Sequence, residues 1–253
     1  MMVSNIFRDR PCNAQTHPSS TTWTGHVALI TGANHGIGAA IALASCGAAA
    51  LISYLRIPDD PDDLPERYRT NRAKTADDVL AVIHEHGGQA VAMEADLTDA
   101  GATPRLFDYA EDQLGPVDIL VNNATGWVAD TFTTTGQHVI GMGSAGLTAA
   151  THDQVFGVGA RSGALMIAEF ARRHIEREAG WGRIIGLTSG GPLGFPNEVS
   201  YGAAKAALEN YTMSAAAELA PFSASQPTSS THRSPTLAGS TTRYASMSRR
   251  APT

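Results

Sequence analysis

The chain has 253 residues, of which 43% are hydrophobic, and a formal net charge of −6, which suits one soluble domain or at most two small ones. The acidic balance argues against a nucleic-acid-binding protein, because such proteins present a basic surface. Two cysteines, Cys12 and Cys46, are too few for a disulfide scaffold or a four-cysteine zinc site. No apolar run approaches the ~20 residues that cross a bilayer, and the first 20 residues lack the apolar segment of a signal peptide. We therefore expect a cytoplasmic protein without bound metal.

Short apolar runs alternate with longer helical patterns between residues 23 and 220. Five strands are predicted, at Val27–Thr31, Ala49–Leu55, Gln89–Glu94, Val117–Val121 and Arg183–Thr188. Helices are predicted at Gly36–Cys46, Thr70–His86, Thr103–Leu114, Asp153–Ala179 and Ser200–Ala220. These strands are too apolar to have a solvent-exposed face, and helices separate them. Both features are typical of a parallel sheet covered on both sides. The predicted fold class is α/β, a doubly wound parallel sheet of the Rossmann type.

Two stretches interrupt this alternation. Arg56–Arg69 is acidic and rich in proline, which predicts a surface loop after the second strand. Gly126–Ala150 is rich in threonine and glycine and has no clear periodicity, so we expect a long irregular segment. Loops of that length in a compact domain are either functional or disordered.

The ends of the chain differ from its middle in composition. Residues 1–22 are polar and irregular, and residues 221–253 contain eight serines, six threonines, four prolines and four arginines but no acidic residue. So few apolar side chains cannot offset the entropy of ordering such a segment. We therefore predict an irregular extension over 1–22, a dinucleotide-binding catalytic domain over 23–220 and a disordered tail over 221–253.

A glycine-rich turn stands between the first strand and the first helix. Glycines there allow a tight turn, a close approach of the backbone to a pyrophosphate and close packing of helix on strand. The free N–H groups and the positive end of the helix dipole then face the phosphates. Glycine-rich turns also cap helices in many proteins, but the flanking strand and helix favour dinucleotide binding. The predicted binding residues of the turn are Thr31, Gly32, Asn34, His35, Gly36, Ile37 and Gly38.

The end of the second strand bears on which dinucleotide binds. An acidic residue there would accept hydrogen bonds from the adenosine ribose and favour NAD, whereas a nearby arginine favours the 2′-phosphate of NADP. This strand ends in Tyr54, Leu55 and Arg56, without a carboxylate. We predict that Tyr54 and Arg56 contact the cofactor and that NADP(H) is preferred, with NAD(H) as the alternative. Arg56 could instead be a solvated loop residue close to Asp59 and Asp60.

Tyr201 and Lys205 open the last predicted helix four residues apart, so they share a helix face. A cation there stabilises the phenolate and lowers the pKa of the tyrosine towards working pH, which makes it a proton donor and acceptor. The alternative is a surface pair, but the surrounding residues are apolar. Only two lysines occur in the chain, Lys74 and Lys205, which favours a functional lysine.

Hydroxyl and amide side chains follow two other predicted strands. The fifth strand runs into Thr188 and Ser189, at the sheet edge where ligands bind in doubly wound folds. A hydroxyl there can hydrogen-bond a substrate carbonyl or a developing alkoxide, although Ser/Thr–Gly is also ordinary turn chemistry. Asn122, Asn123 and Ala124 follow the fourth strand on the same side and are predicted to contact the cofactor.

In this order, TGANHGIG, NNA, the serine-bearing strand end and YGAAK resemble the short-chain dehydrogenase/reductase family over residues 23–220. The resemblance implies an NAD(P)-dependent oxidoreductase in which Tyr201 exchanges a proton with the substrate oxygen. It further implies that Lys205 binds the nicotinamide ribose and that Ser189 orients the carbonyl. Asp96 would meet the adenine, and Leu97 beside it is predicted to bind the cofactor.

The sequence departs from the family pattern at three places. Gly159 stands where the family usually has an asparagine that helps to hold a water in the proton relay. Ser189 lies one residue closer to Tyr201 than is usual; Thr188 fits the usual count, but the sequence around Ser189 matches better. Nothing in residues 221–253 resembles the last two strands of the family. Those residues are either a genuine disordered tail or the product of a frameshift that replaced the native C-terminus from about Phe222.

These features predict an enzyme that reduces a ketone or oxidises a secondary alcohol with NADP(H). The alternative is a related protein that binds the cofactor but is catalytically impaired by Gly159 and the missing strands. The expected partners are a small carbonyl or alcohol substrate, with neither nucleic acid nor membrane, and the family resemblance implies a homo-oligomer.

Overall fold

The computed structural model describes residues 23–43, 47–58, 64–137, 143–189, 194–222, 232–233 and 240–248. The predicted extension over 1–22, both cysteines and most of the tail lie outside these ranges. The chain divides into two compact units, the first comprising Met1–Asp96 and Leu106–Val117, the second Leu97–Arg105 and Asp118–Thr253.

The first unit contains three parallel strands in the order β3-β2-β1. Its elements are β1 (Val27–Ile30), α1 (Gly36–Leu43), β2 (Ala49–Tyr54), α2 (Glu66–Arg72), α3 (Asp77–Glu85), β3 (Ala90–Glu94) and most of α4 (Ala102–Gln113). In the register, Val27 lies opposite Ala49 and Ala50 opposite Ala90. All four residues of β1 are buried, as expected for a strand of a sheet covered on both faces.

The second unit contains the remaining strands and the predicted catalytic residues Ser189, Tyr201 and Lys205. Its elements are β4 (Ile119–Asn122), β5 (Asp130–Thr131), β6 (Thr135–Gln137), β7 (Gly143–Gly146), α5 (Ala149–Phe156), α6 (Ser162–Glu176), β8 (Trp181–Ser189), α7 (Val199–Leu219), β9 (His232–Arg233) and β10 (Ser240–Ser248). A short π-helical segment, Gly157–Arg161, joins α5 to α6 and is called the π-turn below. Strands β4 and β8 are parallel, with Ile119 opposite Arg183. Strands β5, β7 and β6 form a separate three-stranded sheet, called the small sheet below.

The predicted α/β class is correct: parallel strands connected by helices make up both units, in the doubly wound, Rossmann-like arrangement. The five predicted strands are all present, and every bound lies within two residues of its predicted position. The fold therefore follows from the apolar runs, because the strands of a sheet covered on both faces are made mostly of buried apolar side chains.

Three predicted segments differ from the structure. The predicted Arg56–Arg69 loop ends earlier, because α2 begins at Glu66, and the predicted Thr70–His86 helix is two helices, α2 and α3. The long helix predicted over Asp153–Ala179 starts earlier, as α5, and is interrupted by the π-turn. Gly126–Ala150 is not wholly irregular, since it contains the small sheet, whose strands of two to four residues are too short to show a period.

The described part of residues 221–253 includes two strands, β9 and β10. Strand β10 pairs antiparallel with β8 over the full length of both, from Ser240 opposite Ser189 to Ser248 opposite Trp181, and β9 pairs with β10. Strand β10 thus pairs with the edge of β8 at which the family resemblance implies a further strand. The physical reason is that an open strand edge presents unpaired N–H and C=O groups, which any extended backbone can satisfy.

Among the described residues, no helix has both the length and the hydropathy needed to cross a membrane.

Candidate active site

The glycine-rich turn connects β1 to α1 in the first unit. Gly32 and Gly36 have φ angles of +64° and +61°, a region that side-chain-bearing residues rarely adopt. A Cβ at Gly36 would meet no atom within 4 Å, so the backbone conformation, not crowding, requires glycine there. Ile37, in the first turn of α1, is 53% exposed. The first N–H groups of α1 therefore lie at an open helix end, where a phosphate can bind.

The other predicted residues of this turn are fixed by burial and by hydrogen bonds. Thr31 and Asn34 are buried, as is Gly38. The Asn34 amide donates to the Lys74 carbonyl (2.8 Å), and the Asn34 Oδ1 lies 2.9 Å from the His35 Nδ1. Burial, and secondarily the charge of Arg72, lower the pKa of His35. His35 is therefore a neutral hydrogen-bonding group at pH 7.

Arg56 binds a carboxylate that the sequence analysis did not consider. Its guanidinium contacts Glu94, at the end of β3, with Nη2 2.8 Å from Oε2 and Nε 3.0 Å from the same oxygen. The backbone N–H of Arg56 also donates to Glu94 Oε1 (3.0 Å). These hydrogen bonds lower the pKa of Glu94, whereas burial and the Glu94 charge raise that of Tyr54.

Glu94 lies opposite Tyr54 in the β2–β3 register. The carboxylate that NAD-binding proteins carry at the end of β2 is therefore absent from β2 but present on its neighbour. Asp96, two residues further on, is exposed. Each of these side chains belongs to the first unit.

In the second unit, Leu97 is buried, and Asn122, Asn123 and Ala124 follow the end of β4 as predicted. Asn122 is 4% exposed, and its amide lies 3.5 Å from the Gly163 carbonyl on α6. Asn123 and Ala124 are half-buried.

Tyr201 and Lys205 lie together on the first turns of α7. The Lys205 Nζ is 5.8 Å from the centre of the Tyr201 ring and donates to the Leu187 carbonyl of β8 (2.7 Å). Lys205 is 4% exposed, and burial lowers its pKa to about 8. A single backbone carbonyl thus fixes a cation beside a phenol, away from bulk water.

The Tyr201 ring is oriented by apolar neighbours. It packs against a buried cluster of Val155, Ala160 and Ala204, and meets the Phe195 ring edge-on, with the ring centres 5.6 Å apart. A Cβ at Gly202 would collide with Phe195, so a glycine after Tyr201 lets that ring approach.

The two candidate hydroxyls of β8 differ in exposure. Thr188 is 2% exposed, whereas Ser189, the last residue of the strand, is half-buried. Successive side chains of a strand point to opposite faces, so only one of the two lies on the substrate side. Residues 190–193, which follow, lie outside the described part of the chain.

Gly159 lies inside the π-turn and faces the helix that carries Tyr201 and Lys205. A Cβ at this position would lie 3.3 Å from the Ala204 Cβ. An asparagine, as the family pattern has here, would therefore press against α7. The replacement of asparagine by Gly159 coincides with a close helix contact.

Sequence reasoning missed three groups near the predicted residues: Glu94, the carbonyl of Leu187 and the charge of Arg72. A backbone carbonyl leaves no trace in the sequence, and Arg72 belongs to a helix that was predicted as loop and helix start. The described residues include no group of three or more histidine, cysteine, aspartate or glutamate side chains that could hold a metal ion.

Comparison with known proteins was made at the level of family, sequence and structure. The family model described as short chain dehydrogenase matches residues 26–225. Elsinochrome reductase 1 of Elsinoe fawcettii is 32% identical over 198 residues, which are 76% of this chain and 62% of that protein. The hydroxynaphthalene reductase-like protein Arp2 of Metarhizium robertsii is 31% identical over 209 residues, 81% of this chain and 67% of that protein.

Among solved structures, a 3-oxoacyl (acyl-carrier-protein) reductase of Agrobacterium tumefaciens C58 with NADP bound has a TM-score of 0.62 and 28% identity, covering 79% of this chain and 67% of that one. The chain thus spans 62% to 67% of the length of these three proteins.

Proposed function

Since the chain belongs to the short-chain dehydrogenase family, we propose that it is an oxidoreductase that interconverts a ketone and a secondary alcohol with NADP(H). One observation carries the proposal: a buried lysine ammonium, fixed on the Leu187 carbonyl, lies beside the ring of Tyr201. A structural lysine has no reason to be buried at this cost, whereas a proton-transferring phenol needs a cation beside it.

The residues of the glycine-rich turn fit a dinucleotide. Gly32 and Gly36 adopt conformations that bring backbone N–H groups to the start of α1, and these would hold the pyrophosphate. Three side chains would contact the nicotinamide end of the cofactor: those of Asn122, Tyr201 and Lys205. When bound, the nicotinamide supplies the hydride.

The chain itself supplies the proton and the orientation. In the reductive direction the Tyr201 hydroxyl donates its proton to the carbonyl oxygen, which becomes the alcohol hydroxyl as hydride reaches the carbon. The phenolate that remains is stabilised by the Lys205 ammonium. Ser189, at the end of β8, donates a hydrogen bond to the same substrate oxygen and so orients the carbonyl.

We infer a preference for NADP(H) from two arginines of the first unit. Arg56 follows the end of β2, and Arg72 is near enough to the glycine-rich turn for its charge to lower the pKa of His35. An arginine guanidinium matches the geometry of a 2′-phosphate. The NADP named with the Agrobacterium reductase structure supports the same choice.

The substrate class is suggested by the relatives. Two relatives are named as reductases of elsinochrome and of hydroxynaphthalene, and the solved structure is named as a 3-oxoacyl (acyl-carrier-protein) reductase. We therefore propose a cyclic or aromatic ketone as the substrate, with a 3-oxoacyl thioester as the comparison.

The test is NADPH oxidation with a carbonyl panel that contains a hydroxynaphthalene and a 3-oxoacyl thioester. Tyr201→Phe should lower kcat by at least 100-fold while leaving the Kd for NADPH within about threefold, because only the proton donor is removed. Tyr211→Phe is the matched control, since Tyr211 lies on the same helix but is 41% exposed. Full activity of Tyr201→Phe would refute the assignment.

A second candidate function rests on Gly159. A chain without the relay asparagine could bind the cofactor without turnover. Thermal stabilisation by NADPH together with an absence of NADPH oxidation across the panel, in the wild-type chain, would favour this candidate over the enzyme.

A further inference from the structure

The helix that carries Tyr201 and Lys205 begins without a cap of its own. Glu198, at the N-cap position of α7, makes no capping hydrogen bond. Its carboxylate instead accepts a hydrogen bond from the indole N–H of Trp127. The first backbone N–H groups of a helix have no partner within the helix, so another group must satisfy those that are buried.

Asp130 supplies that group from 70 residues away in the chain. Its Oδ1 accepts a hydrogen bond from the backbone N–H of Ser200 (3.0 Å), the residue immediately before Tyr201. Asp130 is fully buried, at 0% exposure. A carboxylate at a helix N-terminus makes a charge-assisted hydrogen bond and interacts favourably with the helix dipole.

The rest of the small sheet holds the turn that precedes α7. Asp130 lies in β5, opposite Ala145 of β7, and on β7 the Ser144 hydroxyl lies 3.1 Å from Asn197 Oδ1. Asn197 has a φ angle of +64°, which costs free energy unless its surroundings hold it. A Cβ at Gly136 on β6 would collide with the Asn197 side chain, so the small sheet fits closely against this turn.

One oxygen of the Asp130 carboxylate is buried without a hydrogen-bond partner among the described residues. That oxygen is Oδ2, and the same holds for the Ser200 hydroxyl oxygen. A buried polar atom without a partner costs about 1–3 kcal/mol. A carboxylate kept at such a cost, where an apolar residue would fill the same space, points to a role beyond packing.

We propose that Asp130 is a positioning residue for the reaction: it caps α7 in place of Glu198 and holds the first turn of the helix so that the Tyr201 hydroxyl points at the substrate oxygen. This inference rests on the proposed function. It assigns a role to the segment between β4 and α5, which the sequence shows only as a threonine- and glycine-rich stretch.

The first test measures the helix without using activity. Amide hydrogen exchange of Ser200 and the following turn is compared in the wild-type chain, Asp130→Ala and Asp130→Asn. We expect Asp130→Ala to speed exchange at Ser200 by at least 10-fold. Asp130→Asn should keep exchange within about threefold of wild type, because its amide oxygen can still accept the bond. Exchange at Ser200 that is unchanged in Asp130→Ala would overturn the proposal even if the chain has no activity.

The second test uses turnover once Tyr201→Phe has established the proposed function. Asp130→Ala should lower kcat by 10- to 100-fold without changing the KM for NADPH, and Asp130→Asn should restore most of kcat. Asp153→Ala is the matched control, since that aspartate lies on α5 with its side chain 80% exposed. Wild-type kcat in Asp130→Ala, or an equal loss in Asp130→Asn, would overturn the proposal.

Should Asp130→Ala fail to fold, Asp130→Glu replaces it in both tests, since one added methylene displaces the carboxylate but keeps its charge. Faster exchange at Ser200 and a lower kcat in Asp130→Glu support the positioning role. Wild-type values for both contradict it.

Discussion

The Lys205 ammonium is buried among apolar residues, and this burial lowers its pKa to about 8 from an ordinary value of 10.5. Between these two pH values the unfolded chain binds more protons than the folded chain, so the free energy of unfolding rises with pH across that window. At pH 7 the charged lysine therefore costs the folded state about 3 kcal/mol. The hydrogen bond from Lys205 to the Leu187 carbonyl acts in the opposite direction and contributes about 1 kcal/mol to the free energy of unfolding.

Lys205→Met should consequently stabilise the chain by about 2 kcal/mol at pH 7 while abolishing turnover. At pH 10.5 the gain should vanish, because wild-type Lys205 is then neutral. Urea unfolding at both pH values measures the difference. A variant less stable than wild type at pH 7 would contradict the burial cost.

Arg56 and Glu94 are paired at half-exposed positions, 51% and 31%. Such a pair contributes at most about 1 kcal/mol to folding, so its effect should appear in cofactor binding instead. A carboxylate beside Arg56 opposes a 2′-phosphate on the same guanidinium.

Glu94→Gln should therefore tighten NADPH binding by 3- to 10-fold and leave NADH binding within about twofold. Isothermal titration with both cofactors measures this. Asp99→Asn serves as the control, because Asp99 forms a comparable exposed ion pair with Arg105. Weaker binding of NADH in Glu94→Gln would instead identify Glu94 as a ligand of the ribose hydroxyls.

At the scale of secondary structure, the sequence predicts strands better than helix interruptions. A buried parallel strand is a continuous apolar run, and each of the five was predicted from that feature. The π-turn at Gly157–Arg161 leaves no such pattern, because one extra residue in a helical turn does not change the apolar spacing enough to detect. Gly159 inside this turn faces Ala204 on α7, a tertiary contact that the sequence does not show. The small sheet was missed because its strands of two to four residues are too short to show a period.

The contact between Gly159 and Ala204 predicts coupling between the two helices. Gly159→Ala places a methyl group 3.3 Å from the Ala204 Cβ, which offsets the helix-propensity gain of about 1 kcal/mol. In an Ala204→Gly background that crowding is relieved, so the same substitution should stabilise the chain. A double-mutant cycle by urea unfolding should give a coupling of about 1 kcal/mol. Additive effects would contradict direct contact.

At the scale of the whole chain, the composition predicts a folded range over 23–220 and a tail after it, but it could not predict the pairing of β10 with β8. Antiparallel pairing at an edge depends on backbone hydrogen bonds, which residue types do not record. The site residues stay predictions; they rest on motifs in which spacing carries the chemistry, as with Tyr201 and Lys205.

Deletion of residues 240–253 should expose the edge of β8 and cause self-association, measured by light scattering after size-exclusion chromatography. Deletion of residues 249–253, beyond β10, is the control and should leave the elution profile unchanged. Identical profiles and equal thermal stability for both deletions would show that β10 does not protect that edge.

The scarcity of lysine gives the chain a practical property. Lys74 is the only other lysine, and its side chain, 48% exposed, pairs with Asp78, a contact that arginine can reproduce. Lys74→Arg therefore leaves one side-chain amine in the chain. Reductive ¹³C-methylation would then place an NMR reporter solely on that amine and the N-terminus, so that cofactor entry and proton release could be followed by chemical shift without substrate.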